Sequence, residues 1–162
     1  MTISIERSLR HMAWANHKVY VATETLPEVA LESYLVKSEW TAREILKHIC
    51  FSAGVYSFRL GVGPKGARLV EPQKISELRV AIATHDANLI TASGLEDREL
   101  EWERDGRTHK NWSSTILSQA VHHATEHRAQ LMDALEYRGY TPISLDDLDL
   151  WAFDQFERDQ NN

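Results

Sequence analysis

The 162-residue chain sets 24 acidic against 18 basic side chains, a formal net charge of -6, and shows no cluster of Lys and Arg, which argues against nucleic acid or an anionic membrane as its main partner. The length suits one domain with a single continuous core. The lone cysteine, Cys50, cannot form an internal disulfide, no apolar run approaches the roughly 20 residues that span a bilayer, and the opening MTISIERSLRHMAW lacks the apolar core of a signal peptide, so a cytoplasmic protein is expected.

Taken in chain order, the sequence reads as helices and little else. In SIERSLRHMAWANHKVYVATETL, residues Ile5, Leu9, Met12, Asn16, Val19, Tyr20 and Thr23 recur at helical spacing, which predicts a first helix near 5–25, closed by Pro27. Thr41 and Glu44 form a T-x-x-E capping box at the head of a second helix over roughly 41–60, ended by Gly61, Gly63 and Pro64. Residues 61–73, rich in Gly and Pro, read as a loop before a third helix at about 75–92, which Gly94 stops. The stretch LEDRELEWERDGRTHKNW alternates weakly around Asp105-Gly106, a turn pair that can close a short polar hairpin. A fourth helix runs from about Ser113 to Tyr137 and ends at Gly139 and Pro142, and SLDDLDLWAFDQF, opening with Ser144 and Asp147, makes a short fifth. The expected fold is all-α, an antiparallel four-helix bundle with a short extra C-terminal helix, in one domain over 1–158 with a frayed tail at 159–162.

Three histidines fall within six positions of the fourth helix, in AVHHATEHRAQL. A helical wheel places Leu117, Ala120, Val121, Ala124, Leu131 and Leu135 on the stripe that faces the core. His123 and His127, four apart, share one edge of that stripe, on the side of Ile116 and Ala134. His122 joins Glu126 and Asp133 on the solvated face, so the alternative pair His122 and Glu126 points at water. Two imidazoles at i and i+4 can reach one divalent ion, but the same spacing also fits core-edge histidines satisfied by hydrogen bonds. A third donor would shift the balance.

The best candidate is His48 in EILKHICF, beside the apolar stripe of Ile45, Leu46, Ile49, Ala53 and Tyr56 on the second helix. Two ligands from one helix and one from another give a three-histidine set with an open coordination position, which favours catalysis. Cys50 lies about 200° around the helix from His48 and is expected to be a packed core thiol. Glu44, one turn before His48, is read first as a helix cap and second as a base or orienting group. Arg128, near the centre of its stripe, needs a buried acid or carbonyl, unless it holds a substrate carboxylate. Trp14 and Asn16 are assigned to packing and helix–helix hydrogen bonding, and His11, His17, His85 and His109 are read as ordinary surface or core-edge residues.

The blocks RHMAWANHKVY, SEWTAREILKHI and HHATEHRAQLMDALEYRGYTP together resemble the signature blocks of the DinB/YfiT-like bundles, over nearly the whole chain. In that family the histidine of the second-helix block and the H-x-x-x-H of the late block, normally followed by R-G-Q, bind a divalent metal, which the resemblance carries over to His48, His123 and His127. The family's glycine is Ala129 here, a change that leaves the ligand spacing intact. Some relatives resemble thiol-dependent transferases or isomerases. The resemblance therefore implies a Zn or Ni site, a small-molecule substrate, a low-molecular-weight thiol as co-substrate, and a homodimer. A site of neutral imidazoles can lower the pKa of a bound thiol or water, so the expected function is metal-dependent thiol transfer or hydrolysis. The alternative is a non-catalytic, metal-stabilised helical module, stress-related, that acts through association.

Overall fold

A computed structural model describes residues 4–64 and 74–160. Four long helices carry the chain: α1 (Ile5–Glu24), α3 (Ala42–Arg59), α4 (Ile75–Ala92) and α5 (Ser113–Glu136). Between the first two, α2 (Glu28–Leu31) is a single turn. Pro27, expected only to close α1, also opens α2, because its φ of -65° is already the helical value. Most of the expected loop over 61–73 lies outside the described residues.

The capping signal at Thr41 is realised in half: Thr41 Oγ1 accepts from the Glu44 backbone N–H at 3.3 Å, whereas the Glu44 carboxylate pairs with Lys47 at 2.9 Å. At the other end of α3, Gly61 adopts φ +77°, and the Val62 and Gly61 N–H groups donate to the Ser57 and Phe58 carbonyls. That left-handed closure satisfies carbonyls the helix would otherwise leave bare.

The weakly alternating stretch does form a hairpin, β1 (Glu99–Arg104) paired antiparallel with β2 (Arg107–Trp112). Its two turn residues, Asp105 at φ 52° and Gly106 at φ 71°, are both left-handed, as a two-residue loop that matches strand twist requires. Trp102 and His109 are register partners and stack 6.0 Å apart, and Arg59 lies over the Trp102 ring at 4.3 Å. The hairpin also brings Asp97 to the head of α5. Its carboxylate accepts from the Ser114 backbone N–H at 2.9 Å and from the Ser113 and Ser114 hydroxyls at 2.7 and 2.8 Å.

The C-terminal helix α6 (Leu150–Gln160) starts later than its sequence signal. Ser144 and Asp147 do bond reciprocally, but they close a 3₁₀ turn over Asp146–Leu148, and the Ala152 N–H that opens α6 donates instead to Asp149. The helix continues through Asp159 and Gln160, so the tail expected to fray from 159 is helical for two residues more. It clasps α1: Arg7 reaches Asp154 and Glu157, each at 2.9 Å, and Trp14 meets Phe153 at 5.4 Å between ring centroids. His11 is part of this clasp, with its Nε2 2.7 Å from the Leu148 carbonyl.

The four long helices form one core, with Leu9, Met12, Val19 and Tyr20 from α1, Ile45, Leu46 and Ile49 from α3, Leu78, Ile82 and Leu89 from α4, and Leu131 and Leu135 from α5 all fully or almost fully buried. Side-chain pairs fix the helix directions. Glu24 meets Arg79 and Asn16 meets Asp86, so α1 and α4 are antiparallel. Cys50 meets the Leu78 carbonyl and Ser57 the His85 carbonyl, so α3 and α4 are parallel. His48 meets His127 and Tyr56 meets Gln119, so α3 and α5 are antiparallel. The bundle is therefore up, down, down, up. Its antiparallel neighbours are α1 with α4 and α3 with α5; the parallel pair α3 and α4 is possible because the link over 60–74 can reach roughly 50 Å at about 3.3 Å per residue, beyond the ~27 Å of either helix.

Candidate metal centre

On α5 the residues Leu117, Ala120, Ala124, Leu131 and Leu135 are buried as the wheel requires, while Val121 is only half-buried. Ile116 and Ala134 are buried as well, which turns the packed face toward the side that carries His123 and His127. Both imidazoles are half-buried and face α3, where His48 meets them. One candidate donor atom from each of the three rings lies within 4.8 Å of the others. His48 Nε2 and His123 Nε2 are 3.0 Å apart, and the ring centroids are separated by 4.4 to 4.9 Å. Two nitrogens bound tetrahedrally at about 2.0 Å would sit about 3.3 Å apart, so the pair is already near the spacing one ion requires. His122, one residue from His123, is exposed and takes no part.

Electrostatics suit these nitrogens to a ligand role. Burial, and after it the neighbouring His127 and His48, brings His123 down to about 4. Burial also lowers His48, with His127 adding to the effect. Both rings are neutral at pH 7 and keep a lone pair for a cation. His127 Nδ1 sits 2.9 Å from Gln130 Oε1; since the amide oxygen only accepts, the ring carries its hydrogen on Nδ1 and presents Nε2 as a lone pair.

Two aromatic rings frame the cluster. Trp40 stacks on His127 at 5.6 Å with an interplanar angle of 7° and meets His48 edge-on at 5.0 Å, while Tyr56 meets His123 edge-on at 5.9 Å. Cys50 is turned away: its thiol is buried, donates to the Leu78 carbonyl, and is pushed up to about 12, first by burial and then by Asp86.

The sequence profile of the DinB family matches residues 1–159. The chain belongs to the DinB family. No curated protein and no solved structure matches it. The three histidines that cluster in this DinB chain are the ones its resemblance to the family pointed to, and among the described residues no carboxylate or thiol joins them.

Other residues fall into place around the centre. Arg128 is buried: Nη1 donates to Asn16 Oδ1 at 2.7 Å and Nη2 to Thr125 Oγ1 at 3.1 Å, while Asn16 Nδ2 donates to Asp86 Oδ2 at 3.0 Å. Of the buried acid or carbonyl that Arg128 was expected to need, the Asn16 amide is thus the carbonyl, with the acid Asp86 one residue further along the chain of bonds, which ties α5 to α1 and α4. Burial pushes the Asp86 carboxyl up to about 7, against the pull of Asn16 and Arg128. Burial also lowers Arg128, to about 10. His85, read as an ordinary surface or core-edge residue, is buried, and its Nδ1 has no hydrogen-bond partner among the described residues. Trp40 and Gln130 are contributors that sequence reasoning passed over. Trp40 had one usable signal, as an aromatic residue directly before the Thr41 cap, in the position from which a side chain folds back on the first turn of a helix.

Proposed function

We propose that this DinB chain is a divalent-metal-dependent enzyme in which His48, His123 and His127 are the ligands and an external nucleophile, a low-molecular-weight thiol or water, attacks a small electrophilic substrate. The observation that carries this reading is the convergence of three half-buried imidazoles from α3 and α5, with no fourth protein donor among the described residues. Neutral imidazoles suit Zn²⁺ or Ni²⁺, and a set of three leaves a coordination position free. An ion held there would act as a Lewis acid and lower the pKa of a thiol or water that reached its free side.

The protein's own groups prepare that chemistry. Gln130 holds the His127 ring in the tautomer that points a lone pair inward, and Trp40 packs flat on the same ring, so its orientation is set before any ion arrives. Lowered basicity keeps His48 and His123 uncharged at neutral pH, each with one ring nitrogen as a lone pair. Cys50 does not serve as nucleophile, because a buried thiol held up at about 12 is neither ionised nor within reach. The nucleophile therefore comes from outside, and no covalent enzyme intermediate forms.

Metal analysis of protein purified without chelator or nickel resin tests the first half of this reading. The second half is tested by supplying metal-loaded protein with candidate thiols and a panel of electrophiles, with and without chelator. Turnover should need metal and survive Cys50→Ser. Turnover that persists in fully metal-free protein would sink the mechanism, and an inert panel would favour the association module instead. The same reading takes the chain as a cytoplasmic homodimer; sedimentation of the purified protein checks the dimer, and fractionation of cells checks the compartment.

A further inference from the structure

Gln130 gives an outer partner to only one of the three rings. His123 has its Nε2 turned to His48, so its outer nitrogen is Nδ1, and beside this ring lies a cavity of about 10 Å³. The walls are mostly apolar, but Asn16, Tyr56 and Asp86 also line it. Asp86 is 2 % exposed; its Oδ2 accepts from Asn16, while Oδ1, fully buried, has no hydrogen-bond partner among the described residues. An orphaned carboxylate oxygen is costly to bury, and a native fold supplies it with a partner, commonly ordered water. The cavity is about the size that one water occupies, roughly 10–15 Å³ by the same measure.

We infer that the cavity holds one structural water that bridges Asp86 Oδ1 and His123 Nδ1, which makes Asp86 the positioning carboxylate of His123 as Gln130 is the positioning amide of His127. With Asp86 ionised, the water donates to Oδ1 and accepts from the ring N–H. That arrangement keeps the hydrogen of His123 on Nδ1 and leaves Nε2 as a lone pair. His48 Nε2–H then donates to it across the 3.0 Å gap in the metal-free protein. The chain of bonds Arg128, Asn16, Asp86 continues through the water to the metal centre, so the buried network has an end in the site and is not confined to bracing helices.

The effect on metal affinity rests on the ligand assignment proposed above, whereas the water and the tautomer stand apart from it. Long-range ¹H–¹⁵N correlation of histidine-labelled, metal-free wild-type protein should show His123 as the Nδ1–H tautomer, and a high-resolution crystal structure should show a water on Asp86 Oδ1. In Asp86→Asn the amide can keep its bond to Asn16 but points an NH₂ at the water. The His123 tautomer should become mixed, that of His127 should stay unchanged, and Zn²⁺ affinity should fall about tenfold. If Asp86→Asn does not fold, Ala120→Val, which fills the cavity and leaves Asp86 paired with Asn16, should shift the tautomer in its place. A dry cavity, an Nε2–H tautomer at His123 in the wild type, or an unchanged tautomer in the folded variants would overturn the inference. If the wild type binds no Zn²⁺, the ligand assignment fails, and the tautomer and the crystal structure still decide the water.

Discussion

His122 and His123 are neighbours in the chain with opposite environments, one exposed and one wedged between His48, His127 and Tyr56. Truncation should separate them. His48→Ala, His123→Ala and His127→Ala should each weaken Zn²⁺ binding by more than the roughly 10–100-fold that loss of an outer partner costs, and His122→Ala should leave it unchanged, as read by competition with a chromophoric chelator. Equal loss in His122→Ala would mean that α5 is rotated from the orientation described. His123 also makes stability depend on pH. Its ordinary value of 6.5 falls to about 4 in the fold, so between those values the unfolded chain binds a proton that the folded site refuses. Stability from this group is full above about 6.5 and is lost as pH falls toward 4. Asp86, raised from 3.8 to about 7, acts with the opposite sign over much of that window. The measurement is therefore the difference between wild type and His123→Asn in urea unfolding, and the wild type should lose ground to the variant as the pH is lowered.

At the scale of elements, the helices were legible because their apolar periods and caps are local: Thr41 before α3, the glycine after it and the stripe on α5 all act within a few residues. The hairpin was legible from Asp105-Gly106 because few residue pairs accept two successive left-handed conformations. What stayed hidden depends on residues far apart in the chain. Asp97 caps α5 from across the hairpin, and Asp86 looks like a solvent-facing acid until Asn16 and Arg128 are seen to cover it. The i and i+4 spacing placed His123 and His127 on one face, but only the packing of α3 against α5 brings His48 to them. Gln130, three residues after His127, was within reach of sequence reasoning, since that spacing puts the two on one face. Asp97→Ala should lower the melting temperature and speed amide exchange in the first turn of α5, where the Ser114 N–H loses its acceptor. An unchanged exchange rate at Ser114 would show that the hairpin does not cap the helix.

The whole molecule sets the conditions under which the centre exists. His48 and His123 are 75 residues apart, so an ion bound by all three histidines would hold α3 against α5 and would favour the folded chain. At a free Zn²⁺ concentration about 100 times its dissociation constant, that linkage is worth about 2.7 kcal/mol. The melting temperature should rise with Zn²⁺ in the wild type and not in His48→Ala, and a rise of equal size in both would place the ion elsewhere.

The order of the helices around the core has a further consequence, for the rate at which the chain folds. In a bundle of successive helical hairpins, neighbours in space are neighbours in sequence, and such chains fold in microseconds to milliseconds. Here some bonds between helices join residues 26 to 28 apart, from α1 to α3 and from α3 to α4, but others join residues 70 apart from α1 to α4 and 112 apart from α1 to α5. Of the consecutive long helices, α3 and α4 pack side by side and run parallel, so the start of α4 must come back to the end of the bundle at which α3 begins before the pair can form. Most of the loop-closure entropy is spent before these distant contacts can compensate for it. The refolding limb measured by stopped-flow dilution from urea should therefore fall in the millisecond range, at the slow end for helical bundles, and a relaxation in microseconds would contradict it.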